Sequence, residues 1–144
     1  MNEKTITELQ GKVRGEVIGP GHKQYDEARK VYNAMIDKRP AAVVRCQGVA
    51  DVIAAVKAAR AEGLTIAIRG GGHSVPGFGT ADGALVVDLT RMKGIRVDPA
   101  AKTVRAEGGC TWGDFNHATH AFGLATTGGI ISTTGIAGLT LGGG

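Results

Sequence analysis

The chain has 144 residues, the length of one ordinary domain, which excludes a large multidomain enzyme within it. Hydrophobic residues at 42% and charged residues at 21% set it apart from disordered chains, and 4% aromatics give a base-stacking or prion-like reading no support. The net charge of +4 would suit an anionic partner, yet the Lys and Arg residues before Arg69 are interleaved with Asp and Glu, so nucleic acid is not an expected partner.

Met1 to Gly21 is polar and holds four glycines; it is expected to be an irregular arm or a short strand, without a leader peptide. Tyr25 to Asp37 places Ala28, Val31, Tyr32, Met35 and Ile36 on one stripe, which predicts a helix stopped by Pro40. Ala41 to Cys46 is apolar and β-branched, the pattern of a strand. Val49 to Glu62 returns to a helical period, with Asp51 in the first turn and Gly63 as the stop. Leu64 to Ile68 and Leu85 to Leu89 read as two further strands. A helix joins the first two strands, so those two are expected to pair in parallel. Ile95 to Asp98 and Thr103 to Glu107 flank the turn residues Asp98-Pro99-Ala100-Ala101 and read as an antiparallel hairpin. Thr111-Trp112-Gly113-Asp114 is a capping box that opens a helix through about Phe122, ended by Gly123.

Glycine is the outlier, at 24 residues of 144 against a usual share of about 7%. Six glycines fall between Gly70 and Gly83 and eleven between Gly108 and Gly144. From Phe115 to Gly144 there is no Asp, Glu, Lys or Arg, the pattern of a buried, backbone-lined site. Polar residues interrupt every apolar run well short of the roughly 18 residues of a membrane span, so no membrane partner is expected. The chain stops within a glycine run directly after an apolar segment, and is read as an N-terminal piece of something longer. Cys46 and Cys110 are isolated, without CxxC spacing, which favours a reduced, cytoplasmic protein.

Arg69-Gly70-Gly71-Gly72-His73-Ser74 follows directly on a predicted strand. Glycines there let backbone N–H groups turn toward an anion without Cβ obstruction, the requirement for cradling a phosphate or pyrophosphate. The segment is not a Rossmann fingerprint, because Val75 stands where a third Gly or Ala belongs and the chain runs on through Pro76-Gly77-Phe78-Gly79. No GxxxxGK[ST] motif occurs.

Four segments in order, RGGGHS (69–74), VVDLTRMKGIRVD (86–98), AEGG (106–109) and GLATTGGIISTTGIAGLTLGGG (123–144), resemble the FAD-linked oxidases of the berberine-bridge-enzyme-like group. That group belongs to the vanillyl-alcohol-oxidase fold, with a PCMH-type FAD-binding domain. The resemblance runs from about Gly15 to the end. It implies an α+β fold: a small parallel β/α FAD-binding subdomain, then the start of an antiparallel sheet and helix subdomain. Residues 1–24 would be an arm, 25–93 the first subdomain and 94–144 the truncated start of the second.

The resemblance also implies site residues. Gly70, Gly71, Gly72 and Ser74 match the loop that wraps the FAD pyrophosphate with backbone amides. His73 matches the histidine that bonds covalently to the 8α-methyl of the isoalloxazine, a role that suits a nucleophilic imidazole nitrogen. Gly128, Gly129, Thr133, Thr134, Gly138, Gly142 and Gly143 match the second FAD-binding segment. Bicovalent members carry a cysteine where this chain has Ile131, and Cys110 lies about twenty residues too early; attachment through His73 alone is therefore expected. The family's catalytic base and small-molecule substrate residues lie beyond Gly144, so no catalytic residue is assigned and the fragment alone is expected to be inactive.

Other readings of the same residues remain open at this point. Arg69 is either a phosphate contact or a solvated strand-end charge. Trp112 and Cys110 read as packing, and His117 with His120 as ordinary helix residues, with no third ligand for a metal. A nucleotide- or phosphate-binding module without redox chemistry and a non-functional truncated fragment are the alternatives to an FAD-linked oxidoreductase.

Overall fold

In the computed structural model, which describes residues 1–142, the N-terminal arm opens as a helix, α1 (Glu3–Gln10). The sequence led us to expect an irregular arm or a strand. Asn2 supplies the missing signal: its side chain accepts from the Thr5 amide at 2.9 Å, and Glu3 lies in the first turn where the helix dipole favours an anion. Leu9 is the residue that α1 buries. The short strand β1 (Glu16–Ile18) follows.

Helix α2 (Tyr25–Ala28) is a single turn, where the apolar stripe predicts a helix to Asp37. A continued helix would bond the Tyr32 amide to the Ala28 carbonyl. Instead Ala28 O accepts from the Arg69 guanidinium at 2.7 Å, and the Tyr32 amide donates to Gly72 O at 3.1 Å. Tertiary partners capture both groups, so the helix ends.

Strand β2 (Ala42–Arg45), helix α3 (Val49–Ala61), strand β3 (Ile66–Arg69) and strand β4 (Leu85–Asp88) agree closely with the predicted runs. Gly63, with φ of 63°, turns the chain out of α3. The sheet order is β1-β2-β4-β3, with β1 antiparallel and the other three parallel. Strands β2 and β3 are thus parallel but not partners: β4 inserts between them, pairing Val43 with Val86 on one side and Ala67 with Val86 on the other. Both faces of β2 and β4 are covered, which explains their near-continuous apolar runs. Val43, Val86 and Ala67 pack with Tyr25, Ala28 and Ile18; Ala42, Val44, Leu85 and Val87 pack with Leu9, Ala55, Ala59 and Met92.

Asp51 fastens the arm to this core. The buried carboxylate accepts from the amides of Arg14, Gly15 and Gln47 at 2.9, 3.0 and 2.9 Å. Burial pushes its pKa up, but the three N–H donors outweigh that and hold it below the ordinary 3.8. A group with a depressed folded pKa contributes fully above its unfolded value and loses that contribution as pH falls through the folded one. The urea midpoint is therefore expected to drop as pH falls from the ordinary carboxylate range through the lowered folded value, and to drop less in Asp51→Asn. Asp51→Ala, which leaves three donors without an acceptor, is expected to cost about 3 kcal/mol at neutral pH.

The antiparallel hairpin forms as predicted from β5 (Ile95–Asp98) and β6 (Thr103–Ala106), with Lys102 at φ of 52° in its turn. Helix α4 (Trp112–His120) carries the predicted capping box between Thr111 and Asp114. The Lys93 ammonium, then the Thr111 amide, hold the Asp114 carboxyl down to about 2. A last helix, α5 (Ile136–Leu141), forms in the glycine-rich tail. No helix among the described residues is long and apolar enough to cross a membrane.

Candidate functional site

Strand β3 delivers Arg69 to the C-terminal edge of the parallel sheet, beside Asp88 of β4. The arginine is 5% exposed. Its guanidinium donates to Asp88 Oδ2 at 2.8 Å, Ala28 O at 2.7 Å and Lys30 O at 3.0 Å. The expected choice between a solvated charge and a phosphate contact is corrected: three protein oxygens occupy the guanidinium. Arg69 braces the glycine loop from behind, with its stem 3.6 Å from where a Cβ on Gly72 would sit.

Beyond Arg69 the chain leaves the sheet as Gly70–Ser74. Gly72, at φ of 72°, occupies the left-handed region that favours glycine. A Cβ on Gly71 would collide with the backbone of Gly135, and one on Gly135 with the backbone of Gly71. The two glycine clusters seen in the sequence therefore meet, backbone to backbone. The second wall is held by the start of α4. The amides of Trp112 and Gly113 donate to Thr134 O and Ser132 O at 3.0 and 2.8 Å, and the Ile136 amide to Cys110 O at 3.0 Å.

Between the walls lies a cavity of about 560 Å³. Its lining includes Arg69, Gly70, Gly71, Gly72, His73 and Ser74 from one side and Thr134, Gly135, Gly138, Leu139 and Gly142 from the other. Ile68, Val75, Pro76 and Phe78 add apolar surface. The amides of Gly70, Gly71, Gly72, His73 and Ser74 have no acceptor among the described residues. Five consecutive half-buried N–H groups with no protein acceptor, beside a glycine-lined cavity, make a candidate anion cradle. That donor set and the apolar lining fit a dinucleotide with a pyrophosphate and a flat ring.

His73 lies against Tyr32, ring centroids 4.0 Å apart and planes 14° from parallel, and its Nδ1 is 3.3 Å from the Thr134 hydroxyl. Tyr32 escaped the sequence reading because its spacing placed it on a helical stripe. Gly135 and Leu139, also missed, sit inside a segment whose glycines gave no helical pattern.

Not every predicted residue reaches the cavity. Gly128 and Gly129 lie under Trp112, where a Cβ on Gly128 would overlap the indole, and neither lines the cavity. Thr133 is exposed outside the lining, as is Ile131. Gly143 lies outside the described residues. Trp112 is buried and packs edge-on against Phe115 at 5.5 Å, in keeping with a core role. Its Nε1 is buried without a hydrogen-bond partner among the described residues. Cys110 is buried, and burial pushes its thiol pKa up; Cys46, buried near Asp51 and Asp88, is pushed up to about 12. His117 and His120 fall on α4, and no group of three metal-ligating side chains occurs among the described residues.

Known proteins resemble this chain in sequence and fold. Residues 40–144 match the family described as FAD binding domain. The (R)-6-hydroxynicotine oxidase of Paenarthrobacter nicotinovorans is 36% identical over 144 residues, which is all of this chain and 31% of that protein. The wild-type BBE-like 1 structure of Physcomitrella patens superposes with a TM-score of 0.87 at 34% identity, covering 94% of this chain and 30% of the other. The carbohydrate oxidase of Microdochium nivale, in complex with a substrate analogue, superposes at 0.82 with 25% identity, covering 93% and 29%. The chain thus spans about three tenths of the length of these relatives. The α+β, PCMH-type fold and the likeness to FAD-linked oxidases expected from the sequence are borne out. With its glycine cradle and this match over most of its length, the chain belongs to the FAD binding domain family.

Proposed function

We propose that the chain is the cofactor-holding part of a flavin-dependent oxidoreductase and that His73 anchors its FAD covalently. The observation that carries the reading is the meeting of five unpaired loop amides with a histidine at one cavity. The amides of Gly70–Ser74 hold the pyrophosphate, while Thr134, Gly135 and Gly138 close the opposite side. Arg69 serves this site as a brace. When bound, FAD accepts a hydride at N5 from an alcohol, carbohydrate or amine carbon and passes the electrons to dioxygen. Relatives named for oxidation of 6-hydroxynicotine and of carbohydrate support a small-molecule substrate. The two isolated, buried thiols favour a reduced cytoplasmic setting.

Attachment balances as follows. His73 would give up its imidazole N–H proton and form one C–N bond to the flavin's 8α-methyl carbon. That methyl would give up one hydrogen, the two electrons and two protons released would be taken up by the flavin, and dioxygen would be the final acceptor, leaving as hydrogen peroxide.

The test is made on the complete reading frame. Acid-precipitated wild-type protein should retain flavin fluorescence, and His73→Ala should bind FAD but release all of it into the supernatant. Protein that folds yet purifies colourless and takes up no added FAD would overturn the cofactor reading. Release of all flavin from the acid-treated wild type would overturn the anchor alone.

A further inference from the structure

We propose that Tyr32 is a positioning residue for His73, setting the plane in which the imidazole meets the flavin methyl; this rests on the anchor role proposed above. Tyr32 is 71% exposed, so core packing does not account for its placement. Four hydrogen bonds hold its segment in place. Arg69 grips the carbonyls of Ala28 and Lys30, the Tyr32 amide donates to Gly72 O at 3.1 Å, and the Asn33 side-chain amide donates to Val75 O at 3.1 Å. The segment is thus strapped across the glycine loop, and the phenol ring is laid flat on His73.

A histidine side chain has two torsions to fix. The stack removes tilt of the ring plane, and the Thr134 hydroxyl on Nδ1 removes the half-turn of the ring within that plane. These constraints come from opposite walls, so the imidazole has one orientation only when both walls are assembled. Attack on a carbon needs the nitrogen lone pair aligned with it, and a small misplacement lowers the rate steeply.

The experiment follows covalent flavin in the complete protein over time after FAD is added to apoprotein. Visible absorbance gives total bound FAD, and fluorescence of the acid pellet gives the attached fraction. In Tyr32→Leu, FAD should bind to wild-type occupancy while attachment slows by at least about tenfold. Tyr32→Phe keeps the ring and should restore the wild-type rate, which a merely structural role for the residue's bulk would not require. Attachment at the wild-type rate in Tyr32→Leu, with none in His73→Ala, would overturn the positioning role and leave the anchor standing. Loss of FAD binding itself in Tyr32→Leu would assign the residue to the cradle and overturn the proposal. Bound FAD that never attaches in the wild type would remove the anchor, and this inference with it.

Discussion

Gly71→Ala is expected to lose about 3 kcal/mol of stability, since the added methyl has no space to enter. The carbon would occupy the position of the Gly135 backbone, and backbone cannot swing aside as a flexible side chain can. Relief requires the segment around Thr134 to move off the start of α4, which breaks the bonds from Trp112 to Thr134 and from Ile136 to Cys110. Both walls of the cavity then part. Thermal unfolding should fall together with retained FAD, and Gly135→Ala should copy the phenotype because the two glycines contact each other. A Gly138→Ala control, where a Cβ meets nothing within 4 Å and alanine favours the helix, should not lower the unfolding temperature. Equal behaviour of Gly71→Ala and Gly138→Ala would show that the two walls do not meet as described.

Arg69→Ala carries the other large effect. It strands the Asp88 carboxylate, only 3% exposed, and leaves the Ala28 and Lys30 carbonyls without their donor. Breaking a buried pair from one side costs about 3–5 kcal/mol, whereas replacing both members with apolar residues is often neutral. The double variant Arg69→Met, Asp88→Leu should therefore regain most of the lost stability in urea. It should not regain FAD, because a methionine cannot hold the segment that crosses the glycine loop. Recovery of both in the double variant would reduce Arg69 to a core residue with no part in the site.

The local pattern of the fold was readable wherever one physical signal dominated. β-branched runs marked β2 and β4, a helical period marked α3, and the Thr111–Asp114 box marked the start of α4. Two glycine clusters were matched to two FAD-binding segments, and their backbones meet at Gly71 and Gly135. What escaped depended on partners remote in sequence. The Tyr25 stripe has good helical spacing, yet Arg69 and Gly72 take the groups that would prolong the helix. Insertion of β4 between β2 and β3 leaves no trace in the sequence, because all three read alike as short apolar runs, even though Ile68 of β3 is 64% exposed. Helix α5 holds Gly138 in its interior, which propensity disfavours, so only its tertiary setting makes it helical. Arg69 looked like a ligand because it opens a ligand-like motif; its carboxylate partner, nineteen positions on, belongs to another strand.

The insertion of β4 has a thermodynamic corollary. Strands β3 and β4 are direct parallel neighbours, and parallel neighbours must be joined by a crossover. Here the crossover is the segment 70–84, which is the glycine loop itself and not a helix. Closing the sheet and ordering the cradle are consequently a single entropic event. Any ligand that grips those amides in the folded state alone adds its binding free energy to the closure of the sheet, in proportion to the logarithm of its concentration over its dissociation constant. Proteases that cut flexible glycine-rich segments should accordingly find the stretch between β3 and β4 first, and added FAD should protect it in a concentration-dependent way.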